Sequence, residues 1–214
     1  MEKLKALADE IEAEGGIARG YTCNVMNKAN CLQVAEDVMA ELGSCDILVN
    51  GAGGNNARAN TDKEYFEMAD LEDDTVTFFD LDESGVEMVF DLNFIGTLLP
   101  TQAFARQMVG RPGCNILNIS SMNAYLPLTK IPAYSGSKAA RGPTFTQWLA
   151  VHFSKVGIRV NAIARASSPA SRTPASSTMR TAPRRPVPTR SSPRPPWAAS
   201  ATAKRTLWAH CCSC

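Results

Sequence analysis

Cys114-Asn-Ile-Leu-Asn-Ile-Ser-Ser-Met-Asn-Ala-Tyr-Leu-Pro-Leu-Thr-Lys-Ile-Pro-Ala-Tyr-Ser-Gly-Ser-Lys138 is the stretch whose reading decides the fold. It opens on an apolar run, Ile116-Leu117-Asn118-Ile119, with the length and β-branched content of a buried strand. The run ends in Ser120-Ser121, and a loop containing Pro127 and Pro132 leads to Tyr134 and Lys138 at the start of a predicted helix. Their i, i+4 spacing sets phenol and ammonium on one helix face, about one turn apart. A hydroxyl at the carboxyl end of the strand then meets both in the crevice where open α/β sheets bind ligands.

Those three groups suit proton transfer coupled to hydride transfer. A free tyrosine titrates near pH ~10, too high for a useful base near neutrality. A neighbouring ammonium favours the phenolate, and a serine hydroxyl can hold the substrate oxygen while the proton moves. Tyr-x-x-x-Lys by itself fits a plain surface helix equally well, because two common residues four apart recur by chance. Other stretches separate the two readings.

Ser121 thirteen residues before Tyr134, the run Tyr134-Ser135-Gly136-Ser137-Lys138 and the upstream Asn93 resemble the active-site tetrad of short-chain dehydrogenases/reductases. Asp46-Ile47-Leu48-Val49-Asn50-Gly51-Ala52-Gly53 is similar to that family's Asn-Asn-Ala-Gly strand end, with Gly51 in place of the second Asn. Ile158-Arg159-Val160-Asn161-Ala162-Ile163-Ala164 is similar to the strand after the catalytic helix. The likeness covers residues 1 to 164. Within the family, Gly51-Ala52-Gly53-Gly54-Asn55, the long segment up to Phe90 and the run from Met122 to Pro132 look most like D-mannonate oxidoreductases (fructuronate reductases).

The resemblance implies an α/β fold, an incomplete doubly wound Rossmann-like parallel sheet over residues 1–164 that lacks its first two and its last strands. It implies Tyr134 as general acid/base, with Lys138 bringing down its proton affinity and holding the nicotinamide ribose. Ser121 would orient the substrate oxygen, and the backbone of Asn93, in a kinked helix, would hold a water in the proton relay. The cofactor would be NAD or NADP, NAD favoured, lined by Asn24, Val25, Asn50, Ala52, Gly53, Tyr134 and Lys138. Asn24 falls where the family usually has an Asp that touches adenine. The implied partners are a small sugar acid and further copies of the chain, as homodimer or homotetramer.

Composition divides the 214 residues into unequal parts. Residues 165–214 hold nine of the 22 Lys and Arg, no Asp or Glu, and eight of the 13 prolines. The first 164 residues therefore carry 13 basic against 21 acidic side chains, a net of −8 hidden by the overall +1. The tail, rich in Pro, Ser, Ala, Thr and Arg, is expected to be a disordered domain of its own. Its arginines suit non-specific anion contact, but with only Trp197 and Trp208 interleaved, specific nucleic-acid binding is not expected. The seven cysteines show no zinc or disulfide spacing in the body, no metal site is expected, and a reducing cytoplasm is the default. The acidic run over residues 60–84 reads as a variable surface segment.

Taken in order, Leu4, Leu7, Ala8 and Ile11 predict a helix, Ile17–Val25 a strand, and Leu32, Ala35, Val38, Met39 and Leu42 the apolar face of a second helix. In the resembling family this order follows the second strand. The first strand with its glycine-rich phosphate turn, and the ribose-binding acidic residue, are expected to precede Met1. Unpaired edges would then flank Asp46–Asn50. From Val86 a long helix is expected, with Met88, Val89, Leu92, Leu99, Phe104 and Met108 in the core and Asn93 inside it. The catalytic helix is expected from about Pro132 to Val156, held down by Trp148, Leu149, Val151, His152 and Phe153. Arg141-Gly142-Pro143 interrupts it, one residue longer than the family pattern, and Gly-Pro predicts a break. After Ala164 the expected Pro-Gly gives way to Arg165-Ala166-Ser167, which reads as a one-base frameshift; a DNA read with no base missing there excludes it. The competing reading is an inactive truncated member of the family, unable to bind dinucleotide.

Overall fold

A computed structural model of the protein describes residues 2–165 and 206–209. The stretch from Ile47 to Arg165 is a β-α-β-α-β run. Its strands are β1 (Ile47–Asn50), β2 (Asn115–Ser121) and β3 (Arg159–Arg165). All pair in parallel, with Leu48 opposite Ile116 and Ile116 opposite Val160. Parallel strands need helical crossovers that cover both faces. Here α3 (Glu83–Phe90) and α4 (Gly96–Ala105) lead from β1 to β2, and α5 (Pro132–Ala139) and α6 (Thr146–His152) lead from β2 to β3. Before them lie α1 (Glu2–Ala13) and α2 (Lys28–Leu42), which begins where the Asn27 side chain accepts the N–H of Asn30. Leu48, Ile116, Val160, Phe104, Met108 and Leu149 form the centre of the main core.

A fourth strand, β4 (Thr206–Ala209), completes the order β3-β2-β1-β4. It runs parallel to β1 in the register Ile47 to Thr206 and Asn50 to Ala209. The sequence reading left this edge unpaired and placed residues 165–214 in a tail without structure. The strand instead meets the edge's demand for backbone partners, using a Thr-Leu-Trp-Ala run of high β-propensity. The rest of the tail lies outside the described residues. Among those described, no helix is long and apolar enough to cross a membrane.

Both crossovers contain a wide helical turn. Asp91–Ile95 is a π-helical turn joining α3 to α4, and Ala140–Phe145 is one joining α5 to α6. A π turn holds one residue more than an α turn, so it absorbs an insertion without ending the helix. That corrects the expected break at Gly142-Pro143: the helix widens and continues to His152. Gly142 makes the widening possible by lying against β2. A Cβ built there would stand 2.1 Å from Ser120 Oγ and 3.0 Å from Ser120 Cβ. Gly142→Ala must push backbone or strand aside, and overpacking of this kind costs about 1–3 kcal/mol. The expected result is a lowered urea midpoint with an unchanged slope; an unchanged midpoint excludes the contact.

Several faces differ from the sequence reading. In α2 the buried residues are Cys31, Val34, Ala35 and Val38, while Leu32 and Met39 are exposed. Cys31 acts as a small hydrophobe there and rotates the inner face by one position. Met88, Trp148 and Val151 are exposed rather than packed. Ile17–Asn24 forms no strand, because no other strand among the described residues runs beside it. The acidic segment is held by its own carboxylates: Asp62, Asp70, Asp73, Asp80 and Asp82 accept backbone N–H groups from Val76, Glu67, Thr75, Thr77 and Gly85. Hydrogen bonds to the ionised form hold Asp70, Asp73, Asp80 and Asp82 below the usual carboxylate range, led by Lys63, Thr75, Thr77 and Ser84 respectively.

Candidate active site

The carboxyl ends of β1 and β2 and the first turns of α5 meet in one place, and three of the four predicted catalytic residues can be followed there from their elements. Ser121 is the last residue of β2; its Oγ accepts the N–H of Asn123, 3.2 Å away, which starts the short turn Met122–Ala124. That bond uses a lone pair and leaves the O–H free to donate. Pro132 at the first turn of α5 presets the helix. Tyr134 then lies half-buried against Ala59, Val89 and Ala133. One turn on, Lys138 is 5% exposed, with Nζ donating to Ile119 O at 3.3 Å and lying 5.5 Å from the Tyr134 ring centroid. The cation thus sits over the ring's electron-rich face.

Asn93 arrives from the other crossover and is fully buried in its π turn. Its Nδ2 donates to Gly54 O (2.7 Å) and Val89 O (2.9 Å), and its Oδ1 accepts Gly54 N–H (3.2 Å). The side chain therefore fixes the loop after β1, a role that the sequence reading did not assign to it. Its backbone carbonyl accepts Thr97 Oγ1 at 3.0 Å.

Gly53 is where these elements converge. A Cβ there would lie 2.6 Å from Asn93 Oδ1 and 3.0 Å from both Lys138 Nζ and Arg141 Nη1. No side chain fits, so bare backbone lines the crevice beside Lys138. These residues fit the nicotinamide-ribose end of a dinucleotide: Lys138 has N–H groups beyond the one given to Ile119, and Gly53 permits close approach. The other predicted cofactor residues contribute unequally. Ala52 is buried with its carbonyl taken by Arg141 at 2.6 Å. Asn50 turns its side chain away from the crevice, Nδ2 reaching Thr101 Oγ1 (3.0 Å) and Asn118 Oδ1 (2.9 Å). Val25 is buried against Gly96. Asn24 is exposed, its Oδ1 engaged by Met26 N–H and its Nδ2 available.

The residue that sequence reasoning missed is Arg141. It is fully buried, donates through Nη1 to Ala52 O and through Nη2 to Asn50 O, and its Nε has no partner among the described residues. Burial pushes its guanidinium down to about 10, still charged at neutral pH. The same burial, then the charges of Arg141 and Arg165, push the Lys138 ammonium down to about 7. A buried polar chain supports the arrangement from below: Asn118 Nδ2 donates to Thr146 Oγ1, which donates to Arg141 O. Asn118, a polar residue inside an apolar strand, was the available signal for that chain.

A model of the family described as short chain dehydrogenase matches residues 1–178. The chain belongs to the short chain dehydrogenase family. It is 58% identical over 163 residues to an uncharacterized oxidoreductase of Haemophilus influenzae, covering 76% of this chain and 56% of that protein. It is 44% identical over 163 residues to the uncharacterized oxidoreductase UxuB of Bacillus subtilis, covering 76% and 57%. A solved Haemophilus influenza structure with bound NAD, provisionally named a D-mannonate oxidoreductase, superposes with a TM-score of 0.72 at 58% identity, over 75% of this chain and 57% of that one. The chain thus spans little more than half the length of these short chain dehydrogenases.

Proposed function

We propose that the chain supplies the catalytic centre of a nicotinamide-dependent oxidoreductase acting on a sugar acid, with D-mannonate and D-fructuronate as the substrate pair. The observation that carries this reading is the convergence of Lys138 and Asn93 on Gly53, beside Tyr134 and the free hydroxyl of Ser121. The NAD held by the Haemophilus structure favours NAD, and its provisional name favours D-mannonate.

Nicotinamide, when bound, accepts or supplies the hydride. Ser121 Oγ–H donates to the substrate oxygen and fixes its position. Tyr134 Oη takes the proton of the substrate hydroxyl in oxidation and returns it in reduction. Below about pH 7, where Lys138 holds its proton, its charge near the ring stabilises the negative charge developing on that oxygen. Asn93, by fixing Gly54, holds the crevice wall, and its carbonyl can position a water that passes the proton outward.

A second reading, a family member that keeps these residues but binds no dinucleotide, is favoured by one observation. Among the described residues no α-helix begins on a glycine-rich turn, the usual seat of a pyrophosphate. Titration of the 214-residue chain with NADH, followed by fluorescence and thermal unfolding, separates the readings. Binding with stabilisation, and NADH consumption on adding D-fructuronate, is the expected result. A cooperative fold that ignores NADH would establish the second.

A further inference from the structure

Each π turn has a carbonyl taken by a threonine hydroxyl one turn further on. Thr97 Oγ1 donates to Asn93 O at 3.0 Å, and Thr146 Oγ1 donates to Arg141 O at 3.1 Å. Both threonines belong to one series of side-chain hydrogen bonds that runs from one crossover to the other by way of β1 and β2. Thr101, one turn after Thr97, donates to Thr97 O at 2.7 Å. Thr101 Oγ1 accepts Asn50 Nδ2 at 3.0 Å, and the same amide donates to Asn118 Oδ1 at 2.9 Å. Asn50 and Asn118 are partners in the parallel ladder, so their side chains share a face of the sheet. Asn118 Nδ2 then donates to Thr146 Oγ1 at 3.0 Å. Thr97, Thr101, Asn50, Asn118 and Thr146 are all buried, where such bonds are stronger than in water and each polarises the next. Asn50 Oδ1 has no partner among the described residues, and an unmet buried acceptor lowers stability. Apolar side chains at these positions would avoid that loss, so stability alone does not account for the series.

We infer that Asn118 is a positioning residue for the catalytic centre, the middle of a hydrogen-bonded tie that fixes the two π turns relative to each other. One end of the tie reaches the turn that holds Asn93. The other reaches the turn that begins two residues after Lys138. Asn93 and Lys138 are the side chains that crowd Gly53, where a Cβ would stand 2.6 Å from Asn93 Oδ1 and 3.0 Å from Lys138 Nζ. So close a fit depends on the register of the two turns. Slack in the tie frees the loop that Asn93 holds and moves Lys138 relative to Tyr134. The inference rests on the oxidoreductase reading and adds to it a residue that acts only through Asn93 and Lys138.

Thr146→Val and Thr101→Val cut the tie on either side of Asn118 while keeping the shape of the side chain, and two measurements on the full chain read the result. Hydrogen exchange of the Gly54 amide, which donates to Asn93 Oδ1 at 3.2 Å, needs no substrate. Thr146→Val, on the other crossover, is expected to speed that exchange about fivefold or more, and Thr146→Ser to restore it to within about twofold. Val34→Ala, a cavity elsewhere in the main core, is expected to leave it within about twofold of the parent. Single-turnover oxidation of NADH by D-fructuronate is expected to slow about tenfold in either valine variant, with NADH affinity within about twofold. The double variant is expected to be at most about twofold slower than the slower single one, because a tie cut once is already lost, whereas independent effects multiply. Gly54 exchange that ignores Thr146→Val or responds equally to Val34→Ala, unaltered rates in the valine variants, or losses that multiply in the double variant overturn the inference. The oxidoreductase reading fails separately: an unaltered chain that consumes no NADH removes it, and Gly54 exchange then decides by itself whether the tie holds the two turns.

Discussion

Tyr134→Phe is expected to lower the rate of hydride transfer by a factor of about 10² to 10⁴ while leaving NADH affinity nearly unchanged. The substitution removes only Oη. The ring keeps its contacts with Ala59, Val89 and Ala133, and Lys138 keeps its place 5.5 Å from the ring centroid. The helix start is set by Pro132 and is unaffected. Only the proton donor and acceptor is lost, so the loss belongs to the transition state and appears in kcat rather than in cofactor binding. Single-turnover rates with and without the hydroxyl measure it directly. A loss confined to KM, or a rate within threefold of the parent, would remove Tyr134 from the role of acid and base. Ser121→Ala gives a useful contrast, because it removes both the substrate hydrogen bond and the acceptor for Asn123 N–H.

The parts of this site legible in the sequence are those set by local rules. The β-branched run to Ser121 ends as a strand where the polar pair begins, and Pro132 starts α5. The i, i+4 spacing then brings Tyr134 and Lys138 together. Asn93 was legible as a polar misfit inside an apolar helix, although its bonds to Gly54 depend on the loop after β1. Arg141 was not legible, since Gly142-Pro143 argues locally for a helix break. Only the tertiary fit of Gly142 against Ser120 turns that argument into a π turn aiming Arg141 beneath Gly53. Strand β4 was missed for the same reason: its pairing joins residues far apart in sequence, and the demand for it comes from the edge of β1.

Stability is expected to rise from pH 7 to about pH 9 and then fall, the opposite of a neutral-pH optimum, and Lys138 is the cause of the rise. Burial, then Arg141 and Arg165, push its ammonium from the ordinary 10.5 down to about 7 in the folded protein. Below pH 7 both folded and unfolded chains hold the proton, and the fold bears a buried charge. Between pH 7 and 10.5 the unfolded chain still holds the proton while the folded chain has released it, so stability rises with pH through that window. Over two pH units one proton is worth at most about 2.7 kcal/mol, and roughly 2 kcal/mol is a reasonable expectation. The fall has the opposite origin. Burial pushes the Cys31 and Cys45 thiols from 9.0 up to about 12, and burial followed by Glu41 pushes Tyr21 from 10.0 up to about 12. Above pH 9 the unfolded chain loses those protons first, and stability declines. Urea midpoints at pH 6, 7, 8, 9 and 10 trace the curve. Lys138→Met is expected to flatten the limb between pH 7 and 9 and to leave the decline above pH 9 in place. A limb that persists without Lys138 would assign the rise to another group and would leave the ammonium charged in the folded protein through neutral pH.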